Sequence, residues 1–331
     1  MHDLKLVEPC QIRARQERAF AELMRRVLET NGFYREKYDR ADVPLQRQVG
    51  ISDLTQLPFT TIDELTRDLT ENGPDGTNLT HPRTRYIRRY RAAEGAAVAC
   101  SFDTAESSAW WVDCWSSAIE AAAIERGHRV YLPLSTAGLA AWAAQEAVQQ
   151  SGGLVEVAVD RSAEEHVRAM VSSGTDVLIA DLERVEAMIE ASRGMGLEIE
   201  AMPSKVLVHG LPVGISLGAP LRRRFKRWQS ACFPVALDHH IGAWAHGCGR
   251  STGMHLQEAE FIFEVIDPGD GSAAEPDKNG AQRGELVVTN LGRPGNPVIR
   301  LRTGVRVVVG REACRCGAVT RRLEAWSGED G

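Results

Sequence analysis

Cys248 and His255 in the stretch CGRSTGMH, with Cys314 and Cys316 in ACRCG, are the residues whose types and spacing best suit them for chemistry. Three potential thiolates and one imidazole complete the tetrahedral shell that zinc prefers. Gly247, Gly249, Gly253 and Gly317 give the tight turns such knuckles need. The pattern predicts one structural zinc site. Its two halves stand about 60 residues apart, so a metal there ties the ends of a segment together and adds folding energy. Four protein ligands leave no position for a substrate. Three other readings stay open: buried, unliganded cysteines, a Cys314/Cys316 redox pair, and a His255 that is only a packed strand residue.

The elements that must hold these residues follow from length and periodicity. A chain of 331 residues can bury a large core and holds two domains, or one large domain with a subdomain. A net charge of -6 with dispersed Lys and Arg argues against non-specific nucleic-acid or membrane binding. The run from Arg222 to Arg227 is the exception and reads as a solvated helix face. Seven cysteines, an odd number in a long chain, do not make a disulfide framework. MHDLKLVEPC has no apolar h-region and no run approaches 18 apolar residues, so a soluble, cytoplasmic protein is expected.

Apolar spacing predicts an amphipathic helix from residue 9, stopped at Asn31-Gly32, then a short aromatic helix over 33–38. Thr84 to Cys100 reads as strand, turn, strand, and Thr104 caps a long Ala- and Trp-rich helix. Strands at 129–134, 154–159, 177–180 and 205–208 alternate with helices near 139–150, 161–172, 182–193 and 217–230. That alternation predicts the α/β class, with a mostly parallel, doubly covered sheet. Beyond residue 253 strand-like runs at 259–266, 284–290 and 298–309 predict a β-rich subdomain that carries the zinc site. The expected division is an N-terminal helical segment over 1–80, an α/β core over 81–250, and the β-rich subdomain over 251–331.

One series of segments carries a resemblance. Phe33-Tyr34-Arg35-Glu36-Lys37-Tyr38, Leu57-Pro58-Phe59-Thr60-Thr61, Gly253-Met254-His255, Gly284-Glu285-Leu286-Val287-Val288-Thr289 and Pro297 to Gly304 follow in this order. The series resembles the phenylacetate-CoA ligase group of the adenylate-forming (acyl-CoA synthetase) superfamily. The resemblance implies the large α/β domain of those enzymes, and Cys, His and Cys-x-Cys-Gly recur in the group at positions matching Cys248, His255, Cys314 and Cys316. It implies formation of an acyl-adenylate from ATP and a carboxylic acid, followed by a CoA thioester.

At three places where that chemistry sits, the sequence departs. The hydroxyl- and Lys-bearing phosphate loop appears as Arg91-Ala92-Ala93-Glu94-Gly95-Ala96-Ala97, without hydroxyl or Lys. The Tyr-to-Glu segment that supplies the magnesium carboxylate appears as His239-His240-Ile241-Gly242-Ala243-Trp244, and Val305 stands where an Asp would hold the ribose. Ser172-Ser173-Gly174-Thr175 imitates a phosphate loop but falls about 80 residues too late. The small C-terminal domain of the family is expected to be absent.

ATP and magnesium are therefore not expected as cofactors, and no residue is assigned to a nucleotide. The expected ligand is an aryl or acyl carboxylate or its thioester, in a pocket that the resemblance places near Tyr131, His209, Trp244 and His246. His240 is the candidate base, with His239 beside it and Asp238 orienting an imidazole. Two alternatives are a non-catalytic pseudoenzyme and a ligase completed by another chain. The pseudoenzyme would bind a true ligase, a carrier protein or a second copy, and exposure of Trp110, Trp111 or Trp115 would favour it.

Overall fold

The computed structural model describes residues 8–44, 49–94, 97–134 and 139–328. The Gly95-Ala96 turn and the pocket segment 135–138 of the sequence reading lie outside the described residues. No helix among the described residues is long and apolar enough to cross a membrane.

Helices α1 (Pro9–Thr30) and α2 (Gly32–Arg40) meet at Asn31, as the sequence predicts. The Asn31 side chain accepts from the Tyr34 N–H at 3.1 Å, capping α2, and donates to Asn78 and Thr80. The pair buries Phe20, Leu23, Met24, Val27, Tyr34 and Tyr38 against Ile262, Leu291 and Ile299 of the distant β-rich half. Helix α3 (Ile62–Glu71) starts with a Thr61/Glu64 capping box. The strands β1 (Tyr86–Glu94) and β2 (Ala97–Thr104) form a separate antiparallel hairpin that feeds α4 (Ala105–Ala121).

The α/β half then runs β3 (Arg129–Leu134), α5 (Leu139–Ser151), β4 (Leu154–Val159), α6 (Ala163–Ser173), β5 (Val177–Asp181), α7 (Leu182–Gly194), β6 (Lys205–His209), α8 (Ala219–Arg224) and β7 (Ala231–Asp238). Its strands pair in parallel, as alternating apolar runs and helices require. The β-rich half adds β8 (Gly242–His246), β9 (Met254–Leu256), β10 (Phe261–Ile266), β11 (Gln282–Asn290), β12 (Leu301–Gly310) and β13 (Arg322–Ser327). These strands pair antiparallel, and they extend the same sheet instead of forming one of their own. The order is β10-β11-β12-β13-β9-β8-β7-β6-β5-β3-β4, eleven strands in one ladder. The joint between β9 and β13 is short, pairing Arg322 with His255 and Leu323 with Met254, as short as the joints of β8 with β9 and of β3 with β5.

Trp110, Trp111 and Trp115 are all buried, so they fill the core under the sheet and offer no interface. Trp110 packs so tightly on Gly292 that a Cβ there would lie 1.9 Å from its ring. Ser172 to Thr175 closes α6, with Gly174 in the left-handed C-cap conformation that glycine favours and the Ser173 and Thr175 hydroxyls 3.1 Å apart.

Candidate metal centre and cleft

Cys248 follows β8, His255 lies on β9, and Cys314 and Cys316 occupy the turn from β12 to β13. Adjacent antiparallel strands thus bring the two halves together. Their ligand atoms all lie within 4.8 Å of one another. The Cys248 and Cys314 Sγ atoms are 3.5 Å apart, and the Cys316 Sγ is 3.3 Å from His255 Nε2. A tetrahedron of zinc–sulfur bonds has edges of about 3.8 Å, so the four atoms fit a zinc ion. His255 Nδ1 faces Thr320 Oγ1 at 3.2 Å, which orients Nε2 towards the sulfurs. Gly253, at φ +83°, allows the approach because a Cβ there would lie 2.4 Å from the Leu323 carbonyl oxygen.

The local electrostatics suit a cation. Burial raises the Cys314 thiol, but donors from Ser251, the Cys316 backbone and the neighbouring thiols bring it down to about 7. Burial and the adjacent sulfurs push Cys316 up to about 12, as expected where three thiols share one space. Burial, reinforced by the charge of Arg322, lowers His255 to about 4, the neutral form a metal needs. Zinc bound here would supply cross-linking between strands through three Sγ atoms and one Nε2.

The other predicted site residues are not brought together. His246 is the strand partner of His255, its ring 6.1 Å away, and belongs beside the metal centre. Trp244 is buried between Phe263 and Trp326 in the core. The Tyr131 hydroxyl is engaged with His166 Nδ1 at 2.9 Å and Arg161 at 3.2 Å. Of the four, His209 alone stands at the carboxyl end of a central parallel strand with its ring edge-on to Trp115.

Burial pushes His209 down to about 4, with Asp181 opposing and Arg184 assisting. Folded His209 is therefore neutral, whereas unfolded His titrates near 6.5. Its contribution is complete above about pH 6.5 and is lost as pH falls towards 4. Urea denaturation at pH 5 and 7.5 should show a smaller acid loss in His209→Gln than in the parent. Equal losses would contradict a neutral His209.

The turn joining β7 to β8 carries Asp238, His239 and His240. Asp238 closes this turn: its Oδ1 accepts from the His240 and Ile241 N–H groups at 2.7 and 3.1 Å. Short Asp side chains do this readily in turns. His240 is buried and lines a cavity with Asp68, Cys100, Arg293 and Asn296 whose water-accessible space is about 20 Å³.

Arg293, absent from the sequence reading, is fully buried beneath this turn. Its Nε donates to Asp103 at 3.0 Å and its Nη1 donates to the His239 and His240 carbonyls at 3.3 and 3.2 Å. Asp103 also accepts from Trp111 Nε1.

No family model matches the chain. A curated relative, phenylacetate-coenzyme A ligase of Thermus thermophilus, is 26% identical over 94% of this chain and 69% of its own. A solved structure of 2-hydroxyisobutyryl-CoA ligase in the postadenylation state with 2-HIB-AMP superposes with TM-score 0.87 at 16% identity, over 98% of this chain and 68% of that one. A long-chain-fatty-acid-CoA ligase from Archaeoglobus fulgidus gives TM-score 0.53 at 9% identity, over 72% and 51%. The chain is a homologue of phenylacetate-CoA ligase and has the large α/β-domain fold of the adenylate-forming enzymes.

Proposed function

We propose that this protein keeps the acid-binding cleft of its ligase ancestry and has lost ATP-dependent adenylation. It would bind an aryl or acyl acid, or the thioester, and carry out a different step on it. The observation that carries the proposal is the β7–β8 turn. Asp238, the carboxylate at the end of β7, accepts through Oδ1 from the N–H groups of its own turn, and the segment after it holds imidazoles instead of an acidic residue. Val305 supports the same conclusion, because it packs against the main core and the adjacent Thr303 hydroxyl donates to the Leu286 carbonyl at 2.8 Å. Each charge-assisted hydrogen bond missing around a triphosphate removes about 1–3 kcal/mol. Three such losses cost several decades of affinity or rate.

The same proposal gives proton transfer to the His239–His240 pair. The cavity at His240 has room for about one water, through which a proton from this side chain would pass. Thermal-shift titration with phenylacetate, phenylacetyl-CoA and ATP with magnesium, together with an assay for AMP release, tests the proposal. Stabilisation by the acid or thioester without AMP release is expected. Stabilisation by ATP, or AMP formation, would restore the ligase. A His240→Gln variant that still binds but turns over at the full rate would remove His240 as the base.

A further inference from the structure

The parallel strands lie in the order β7-β6-β5-β3-β4. From β3 the chain passes through α5 to β4 on one side, then returns through α6 to β5 on the other. The strand order therefore reverses between β3 and β5, and open α/β sheets bind ligands at the carboxyl ends beside such a reversal. Trp142 stands in the first turn of α5, directly after that end of β3. Arg88 of β1 lies over it, with the guanidinium carbon 3.5 Å from the ring centroid.

Neither group has its polar requirement met. The carboxylate opposite Arg88 in the hairpin register, Asp103, is held by Arg293, and Asp75 pairs with Arg89. Arg88 makes no ion pair among the described residues. Its Nη1 is buried without an acceptor, as is the Nε1 of Trp142. The Nε1 of Trp115, whose ring packs against His209 at the end of β6, is a third buried donor in the same condition. Arg and Trp side chains donate and cannot accept, so these three groups lack an acceptor and Arg88 lacks an ion-pair partner among the described residues. A carboxylate supplies both, and a guanidinium fork matches its two oxygens.

We propose that Arg88, stacked on Trp142, is the receptor for the carboxylate of the acid this protein binds. The assignment rests on the acid-binding cleft proposed above and names the group that reads its charge. Stacking fixes the guanidinium plane, and the Trp142 N–H offers a further donor beside it.

Isothermal titration with phenylacetate and with phenylacetamide, its neutral isostere, tests the assignment. The parent should prefer the acid by at least tenfold. Arg88→Gln should lose that preference while its affinity for the amide stays within twofold. Arg88→Lys, which keeps charge without the planar fork, should recover only part. Trp142→Phe, which keeps an aromatic face and removes the N–H, should weaken the acid a few-fold and serves as the second variant should Arg88→Gln fold poorly. Acid preference that persists in both Arg88→Gln and Trp142→Phe overturns the receptor and leaves the cleft standing. Failure of the parent to bind either compound overturns the receptor and the acid-binding cleft together.

Discussion

Purified protein is expected to contain about one zinc ion per chain, and Cys314→Ser to lose it with a fall in Tm of roughly 10 °C. Cys314 is the most enclosed of the three sulfurs, buried where Cys248 and Cys316 are half-exposed, and it is the one contacted by Ser251. Its removal leaves three ligands for an ion that structural sites hold with four. A structural zinc ion is linked to folding, because the unfolded chain does not present the site. The loss of several kcal/mol is therefore visible as a shift in Tm, at about 2–3 °C per kcal/mol for a chain of this size. Metal analysis of the parent, of Cys314→Ser and of Cys10→Ser, which alters an exposed thiol outside the cluster, separates the site from general thiol chemistry. Metal-free parent protein that is indifferent to chelator would remove the zinc assignment.

The second large effect is expected at Arg293. Both partners of the Arg293–Asp103 pair are almost wholly buried, at 0% and 1% side-chain exposure. Truncation to Ala leaves Asp103 charged with no cation and withdraws donors from the His239, His240 and Phe102 carbonyls. Breaking a buried pair from one side costs about 3–5 kcal/mol. Urea denaturation of Arg293→Ala should show a loss of that order. The double variant with Asp103→Asn should lose less than the sum of the two singles, because the uncompensated charge is gone. A loss below about 1 kcal/mol in Arg293→Ala would mean that the pair does not hold the turn.

The contrast between these two sites shows what the sequence discloses. Cys248, His255, Cys314 and Cys316 were legible because ligand type and glycine spacing carry the chemistry on their own. The βα alternation from Arg129 to Asp238 was legible because each apolar run is short and α6 and α7 open on the capping side chains of Ser162 and Asp181. Arg293 was not, since Gly292-Arg293-Pro294-Gly295 reads as an exposed turn and nothing local reveals the Trp110 and Asp103 packed over it. The turn that Asp238 closes through Oδ1 was not legible either, because an Asx turn leaves no trace in periodicity. That the β-rich half continues the sheet of the α/β half was not legible for a related reason. Alternation identifies the buried face of a strand, but the insertion of β13 between β12 and β9 depends on pairings nearly 70 residues apart. Nothing in the local sequence singles out Arg88, and only its stack on Trp142 distinguishes it.

The two-residue contact between β9 and β13 has a consequence for how the molecule comes apart. Few backbone hydrogen bonds cross that line, and a zinc ion held by the cysteines and histidine beside it would add a second tie across it. Were zinc bound there, stripping it would loosen the sheet first along this seam, while the outer strands on either side kept their neighbours.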